Sequence, residues 1–433
     1  MLALLLGSSV TLRDAQRASG FDFYQFWVVA RLLPDRGEVY SSSAREALGM
    51  ESWQQAQASG SERQRRVADY RRVLETYSTP FLYAAFRPVS SSSYDRSLDV
   101  YRILVFLGMA LAVLVQCRLL RYGFTATAAA LIVLLFWFEP FLSDLRVGNV
   151  NALQFCLLAA FAWSQGLLRG TKGALLGGAL LGLGTMFKPN LAAVLLAILV
   201  SRAAHRRYES LAASAAGFLG GIGASFLLAA VSFRSLRCWS EWFDLLRRVP
   251  ESTTTVAMGN FAPARILGDR LGASVAPVLP VLVGSLALAT LWIGGRRAAP
   301  TSRSTAKSAA RDEDAAVIDD MTAVAVGTLV MLLASPLVWL HYYVLAVPML
   351  LVLLRPFSAA HGVGVADLVI RRVAPALALV GIAVTPLRDV SPSLGTVTVA
   401  IVVCASTLLL FGAGLASIML PSDRNRPEAR AAS

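Results

Sequence analysis

Charge is scarce in this chain: Asp, Glu, Lys and Arg make up only 15% of its 433 residues, too few to solvate a domain of this length in water. Cysteine is scarcer still, with four residues, and Cys117, Cys156 and Cys404 fall in or at the edge of apolar runs. None has CxxC spacing or a histidine nearby in sequence. Neither a zinc site nor a disulfide framework is therefore indicated, and small buried hydrophobes are the better reading. No internal repeat is present, and charges inside the apolar runs are few, which counts against a transporter built on inverted repeats. The opening MLALLLGSSVTL lacks a basic leader and a clear cleavage site, so a removed signal peptide is the poorer interpretation.

What the chain does have is apolar length. Hydrophobic residues make up 56% of it and mean hydropathy is +0.59, so a bilayer must solvate most of it. A hydrocarbon core of about 30 Å takes about 20 apolar residues per helix, and backbone groups in lipid must be satisfied within the segment. The runs are too continuous for alternating barrel strands. They predict an all-α polytopic membrane bundle of about eleven or twelve helices, near 101–117, 124–142, 150–168, 173–187, 189–201, 210–233, 275–294, 321–338, 341–355, 373–388 and 394–420, after a short one at 1–12. Basic residues then alternate between loops. Arg118 and Arg121, Arg169 and Lys172, Arg202 to Arg207, Arg296 to Arg311, and Arg355 to Arg372 mark cytoplasmic loops by the positive-inside rule. The net charge of +13 is mostly this topology and gives no reason to invoke nucleic acid.

Two segments depart from the membrane pattern. Residues 11–99 form a long external loop whose stretch ESWQQAQASGSERQRRVADYRRVLETY reads as an exposed helix without a useful apolar face. Residues 295–320 are polar, poor in aromatics and read as a disordered cytoplasmic loop. At the other face, Asp22, Glu139, Asp144, Arg146, Asn149, Asn151, Lys188, Asn190, Asn260 and His341 all fall at predicted outer ends of spans or in their loops. Each alone has a plain explanation: Asp22 as a solvated loop acid, Arg146 as a partner of Asp144, Lys188 as a snorkelling cation, His341 as a bundle hydrogen bonder, Asn149 and Asn151 as helix caps. Convergence of several would mark a site.

Six stretches, in order, carry a resemblance: FDFYQFWVVARLLPDRGEVY, YSTPFLYAAFRPV, LRVGNVNALQFCLLAAFAW, GALLGGALLGLGTMFKPNLAAVLLAIL, MGNFAPARILG and SPLVWLHYYVLAVPMLLVLL. Together they resemble glycosyltransferase family 87, the polyprenol-phosphate-mannose-dependent mannosyltransferases of GT-C type, over most of residues 20–355. The most specific parts are the turn Gly148-Asn149-Val150-Asn151, Lys188-Pro189 after a glycine-rich helix, and Ser335-Pro336 to His341. The chain departs from the family in reading Asn149 where Gln is usual, in carrying Leu340 where an Asp often precedes the histidine, and in roughly thirty extra residues between Tyr40 and Tyr77.

The resemblance implies a single integral-membrane glycosyltransferase domain over 1–433, with the long external loop at 11–99, the cytoplasmic loop at 295–320 and a cytoplasmic tail at 421–433. Its site faces the extracytoplasmic side of the cell membrane, with interfacial helices roofing a lateral cavity. It moves a sugar, mannose being the family's, from a polyprenyl-phosphate donor to a hydroxyl of a glycolipid or glycan acceptor, with inversion, in cell-envelope glycan synthesis. Asp22 matches the family's base. Arg146, Lys188 and His341 are assigned to the donor phosphate, as cations or donors at external helix ends. Asn149, Asn151, Asn260 and Gln25 are assigned to sugar or acceptor hydroxyls. Phe23, Phe26, Trp27 and Ala30 recur at helical spacing and predict an interfacial helix with Asp22 and Gln25 at its polar edge. No cofactor or metal is expected, because a phosphate leaves as a stable anion and a lipid monophosphate carries less charge than a nucleotide diphosphate. Besides donor and acceptor, membrane lipids are the only partners expected. The alternative is a transporter or flippase for an anionic lipid-linked substrate.

Overall fold

The computed structural model describes residues 2–33, 38–248, 255–256, 259–271, 278–298, 306–356, 364–383 and 395–420. Among these the chain is helical, without a strand. It opens with α1 (Leu2–Arg17) and builds a cap from α2 (Phe21–Leu32), α3 (Ser42–Ser59), α4 (Glu62–Tyr70) and α5 (Pro80–Phe86). Then come α6 (Tyr94–Leu119), α7 (Phe124–Phe136), α8 (Glu139–Val147), α9 (Asn151–Leu168), α10 (Gly170–Phe187), α11 (Ala192–Ala204) and α12 (Tyr208–Phe233). The rest of the chain supplies α13 (Arg237–Leu246), α14 (Pro263–Leu271), α15 (Val278–Ala298), α16 (Ala306–Ala334), α17 (Val347–Leu354), α18 (Val365–Leu368), α19 (Ala374–Ala383) and α20 (Thr396–Met419).

Among the described residues six stretches are long and apolar enough to cross a bilayer: Tyr94–Leu119, Asn151–Leu168, Tyr208–Phe233, Val278–Ala298, Asp314–Ala334 and Val397–Met419. Helices α7 and α8, bent by 47° where they meet, make a seventh if taken together. The chain is thus a multi-pass membrane protein. The apolar runs at 189–201, 341–355 and 373–388 form helices too, but of 13, 8 and 10 described residues, short of a full span. Helix α10, whose run at 173–187 is interrupted by glycines, is not among the six, so of the eleven or twelve expected spans six or seven qualify among the described residues. Proline accounts for two of the breaks. Pro189 opens a 3-10 turn between α10 and α11, and a 3-10 stretch over Leu340–Ala346 precedes Pro348 in α17, because proline has no N–H to continue an α-helical ladder.

Helices α10 and α12 approach to backbone contact. A Cβ on Gly178 would lie 2.2 Å from the peptide oxygen of Ser214, and one on Gly217 would lie 2.0 Å from that of Leu175. Small residues allow such approach, and van der Waals packing drives helix association in lipid. Gly178→Leu is expected to prise the pair apart and reduce the yield and melting temperature of folded protein. Normal yield and melting with lost activity would contradict this.

At the end of the bundle away from the cap, the 306–320 stretch is not a loop. It is the first half of α16, and two of its acids are paired across the bundle: Asp320 accepts from buried Arg202 at 2.7 Å, and Asp319 lies 3.3 Å from Nε2 of His205. Arg202 also donates to Gln165 at 2.9 Å and to the peptide oxygen of Ser210 at 2.8 Å. A charge-rich sequence mimics a solvated loop until partners on other helices are known. Residues 299–305 of that expected loop, and the 421–433 tail, lie outside the described residues.

The cap corrects two expectations. Helix α2 is not an interfacial helix with one wet edge, since residues 23–30 are all buried. Its aromatic side chains pack on Phe86, Tyr94 and Tyr101, and Trp27 donates to the peptide oxygen of Ser91 at 2.9 Å. A helix apolar on all sides is a buried helix. The polar stretch after Tyr40 is likewise not one exposed helix. Ser41 caps α3, accepting from Ala44 N at 3.2 Å, and Ser61 caps α4, accepting from Gln64 N at 3.1 Å. Leu48, Ala56, Val67, Ala68 and Leu74 are fully buried, so the two helices form a hairpin folded onto the cap.

Candidate functional site

The cap meets the bundle at the turn between α8 and α9. Gly148 ends α8 in the left-handed conformation (φ 71°), and the N–H groups of Gly148 and Asn149 both bond to the peptide oxygen of Asp144, at 2.8 and 3.2 Å. A side chain at 148 would also strike α2, its Cβ 2.5 Å from that of Phe23. Glycine therefore lets the turn lie against the first turn of α2, where Asp22 sits. Buried Asp144, on α8, caps the start of α9, accepting from Asn151 Nδ2 at 2.9 Å and Ala152 N at 3.1 Å. Its carboxylate is thus a helix cap and not a partner of Arg146.

Around this turn several of the predicted residues converge. Asn149 Nδ2 donates to Oδ2 of Asp22 at 2.6 Å. Asn149 Oδ1 accepts from Lys188 Nζ at 2.7 Å, from Val150 N at 2.7 Å and from Asn151 Nδ2 at 3.2 Å. Lys188 Nζ donates further to Asn151 Oδ1 at 3.1 Å and stands 4.1 Å from the ring centre of Tyr342. His341, 6% exposed, brings Nε2 to 3.8 Å from Oδ2 of Asp22, and that nitrogen has no hydrogen-bond partner. The result is a continuous polar chain from Asp22 through Asn149 to Lys188 and Asn151, flanked by His341. Desolvation pushes the Lys188 ammonium below the usual lysine range, and Asp144 and Asp22 pull it partly back.

Other predicted residues take different places. Asn260 braces the backbone that leads to His341, donating to Pro336 O at 2.9 Å and accepting from Val338 N and Ala262 N at 3.0 Å each. Arg146 turns toward Glu139, with which it hydrogen bonds, and lies 3.9 Å from Asp14 on α1. Gln25, one turn beyond Asp22, is buried with Oε1 unpartnered. Asn190 accepts from Gln154 Nε2 at 3.2 Å. Among the described residues no three His, Cys, Asp or Glu side chains gather as metal ligands.

The sequence reading missed three residues. Arg71, at the end of α4, brings Nη2 to 3.5 Å from Oδ1 of Asp22. Arg102 lies inside a predicted span, yet it is buried and donates to the peptide oxygens of Leu145 (2.9 Å), Arg146 (3.0 Å) and Ala18 (3.1 Å), tying α6 to α8 and to the turn before α2. The Tyr101 hydroxyl donates to the peptide oxygen of Asn149. A lone arginine at the start of an apolar run was the only signal for Arg102, and nothing set Arg71 apart from its neighbours Arg65, Arg66 and Arg72.

A family model, glycosyltransferase family 87, matches residues 76–336. This covers most of the chain, including the Gly148–Asn151 turn, Lys188 and Asn260. The chain belongs to glycosyltransferase family 87. No curated protein and no solved structure matches it. It is a membrane glycosyltransferase, and this decides against the transporter alternative. The family 87 match stops short of Asp22 and Arg71 on one side and His341 on the other, so the glycosyltransferase draws its polar cluster both from the matched stretch and from beyond it.

Proposed function

We propose that this family 87 glycosyltransferase transfers a sugar, mannose in the first instance, from a polyprenyl-phosphate donor to a hydroxyl of a glycolipid or glycan acceptor at the extracytoplasmic face of the cell membrane, with inversion. The observation that carries the reading is the pairing of one partly exposed carboxylate, Asp22, with a desolvated cation, Lys188, through the shared amide of Asn149.

In that reading the acceptor oxygen attacks the anomeric carbon as the bond from that carbon to the phosphate oxygen breaks. The hydroxyl proton passes to Asp22, and the electron pair leaves with the polyprenyl phosphate. The donor is a phosphodiester with one negative charge and the leaving group a monoester with two, so charge grows on the phosphate. Lys188, with His341 as a further donor, stabilises that growth, which is the kind of interaction that speeds a reaction because it strengthens toward the transition state. Asn149 holds the base and the cation in fixed relation, and Asn260 acts on the site through the backbone before His341. Arg146, turned to Glu139 and Asp14, has a smaller part than the sequence implied. No step calls on a metal or cofactor.

The test is transfer from labelled polyprenyl-phosphate-mannose in membranes with and without the protein and with no nucleotide-sugar added. Label entering lipid or glycan only when the protein is present is the expected result. Transfer that requires a nucleotide-sugar would overturn the donor.

A further inference from the structure

Resting on that reading, we infer that Arg71, carried into the site by the α3–α4 hairpin, is the positioning residue that orients the Asp22 carboxylate and leaves Oδ1 as the oxygen that takes the acceptor's proton. The two oxygens of Asp22 are held differently. Oδ2 takes a hydrogen bond from Asn149 at 2.6 Å and faces His341 at 3.8 Å. Oδ1 faces Arg71 at 3.5 Å, beyond the 2.7–3.2 Å usual for an N–H···O bond. At that separation the guanidinium attracts the carboxylate without occupying a lone pair. Oδ1 keeps the lone pairs a base needs, and rotation of the carboxylate away from Arg71 is opposed.

Arg71 is built for this position. Its side chain is only 7% exposed, its guanidinium stacks 4.3 Å from the ring centre of Phe21, the residue before Asp22, and it pairs with half-exposed Glu75 through the other terminal nitrogen. Its Nε is buried without a hydrogen-bond partner. Burying a guanidinium costs free energy that a surface i,i+4 pair does not offset. A role confined to Glu75 therefore leaves its placement beside Asp22 unexplained.

The hairpin that delivers it is fixed on both sides. Arg63 on α4 bonds Asp99 of α6 at 2.9 Å. Arg45 on α3 donates to Leu74 O at 2.7 Å, and Trp53 on α3 donates to Asp69 on α4 at 2.8 Å. The hairpin lies outside the matched 76–336.

The experiment measures transfer by purified wild type, Asp22→Asn, Arg71→Gln, Arg71→Lys, Arg71→Ala and the Asp22→Asn/Arg71→Gln double variant, with kcat and donor KM resolved and melting temperatures recorded. For Arg71→Gln, kcat is expected to fall about a hundredfold, the order expected when a reacting group is misplaced by about an ångström, with donor KM within about twofold of wild type. Arg71→Lys should recover part of the rate, and added guanidinium ion should raise the rate of Arg71→Ala. An unchanged kcat, or a loss confined to donor KM, overturns the inference. If Arg71→Gln does not fold, the kcat of Arg71→Lys against wild type decides in its place. The melting temperatures of Asp22→Asn, Arg71→Gln and the double variant form a cycle independent of activity. Non-additive shifts are expected, and additive ones overturn the hold of Arg71 on Asp22. A wild type that transfers nothing sinks the sugar-transfer reading, while the melting cycle still decides for or against Arg71.

Discussion

Asp22→Asn is expected to lower sugar transfer by about two to four orders of magnitude, the usual worth of a positioned general base, or about 3–5 kcal/mol in the barrier. The substitution keeps the size of the side chain, removes the charge and replaces one acceptor oxygen with an NH2 donor. The cap around it should stay folded, because residues 23–30 are buried by aromatic packing that does not involve the carboxylate. Arg71 retains Glu75, and Asn149 retains its bonds to Lys188 and Val150. Loss of kcat with little change in donor KM is therefore the signature of the proposed role, in which Asp22 takes the acceptor proton in the transition state. Transfer equal to wild type, at matched expression and melting temperature, would remove Asp22 from the chemistry. The base would then have to be sought at Glu139 or Asp144, although the first is paired with Arg146 and the second caps α9.

Lys188→Met is expected to cost about 10²–10³ in kcat, the magnitude seen when one donor to a developing anion is lost. Lys188 is the cation bonded directly to the amide that holds Asp22. Its desolvation would strengthen the field it exerts on the phosphate of the proposed donor. Methionine preserves the stem but leaves the oxygens of Asn149 and Asn151 without their strongest donor, so some loss of stability accompanies the loss of rate. Lys188→Arg separates the two effects, because it keeps a cation. The same desolvation has a pH consequence. With the ammonium pushed down, deprotonation occurs at lower pH than for an ordinary lysine, so transfer should decline earlier on the alkaline side. In Lys188→Arg the guanidinium stays charged, and the alkaline decline should move to higher pH. A profile identical in the two proteins would show that Lys188 does not titrate in the rate-limiting step.

Some of the site was legible in sequence because its residues stand in short patterned stretches. Asp22, Asn149, Asn151, Lys188 and His341 were each singled out, and the structure brings them together. Other parts were not legible. The aromatic spacing in α2 looked like one lipid-facing stripe because a sequence cannot show that α5, α6 and the α3–α4 hairpin cover the remaining sides. The charges of α16 looked solvated because Arg202 and His205, their partners, lie far away in the chain. Arg71 sat among four arginines in a polar run, and only the fold of the hairpin distinguishes it. The helices themselves were well marked by their apolar runs, whereas breaks at Trp137–Phe138 and Pro189 changed which of them can cross a bilayer unaided.

Arg102 sets an order of assembly. The turn before α2 is held by a guanidinium on α6 that also grips the end of α8, and Asp22 is then fixed by Asn149 and approached by His341. Helix α2 leaves the ribosome before these partners and must therefore wait for them, and at about 5–20 residues per second the wait for His341 is tens of seconds. During that interval α2, buried over residues 23–30 in the finished fold, has no complete place to dock. Truncated nascent chains ending before α8 should leave it open to protease, and chains extended past α17 should protect it.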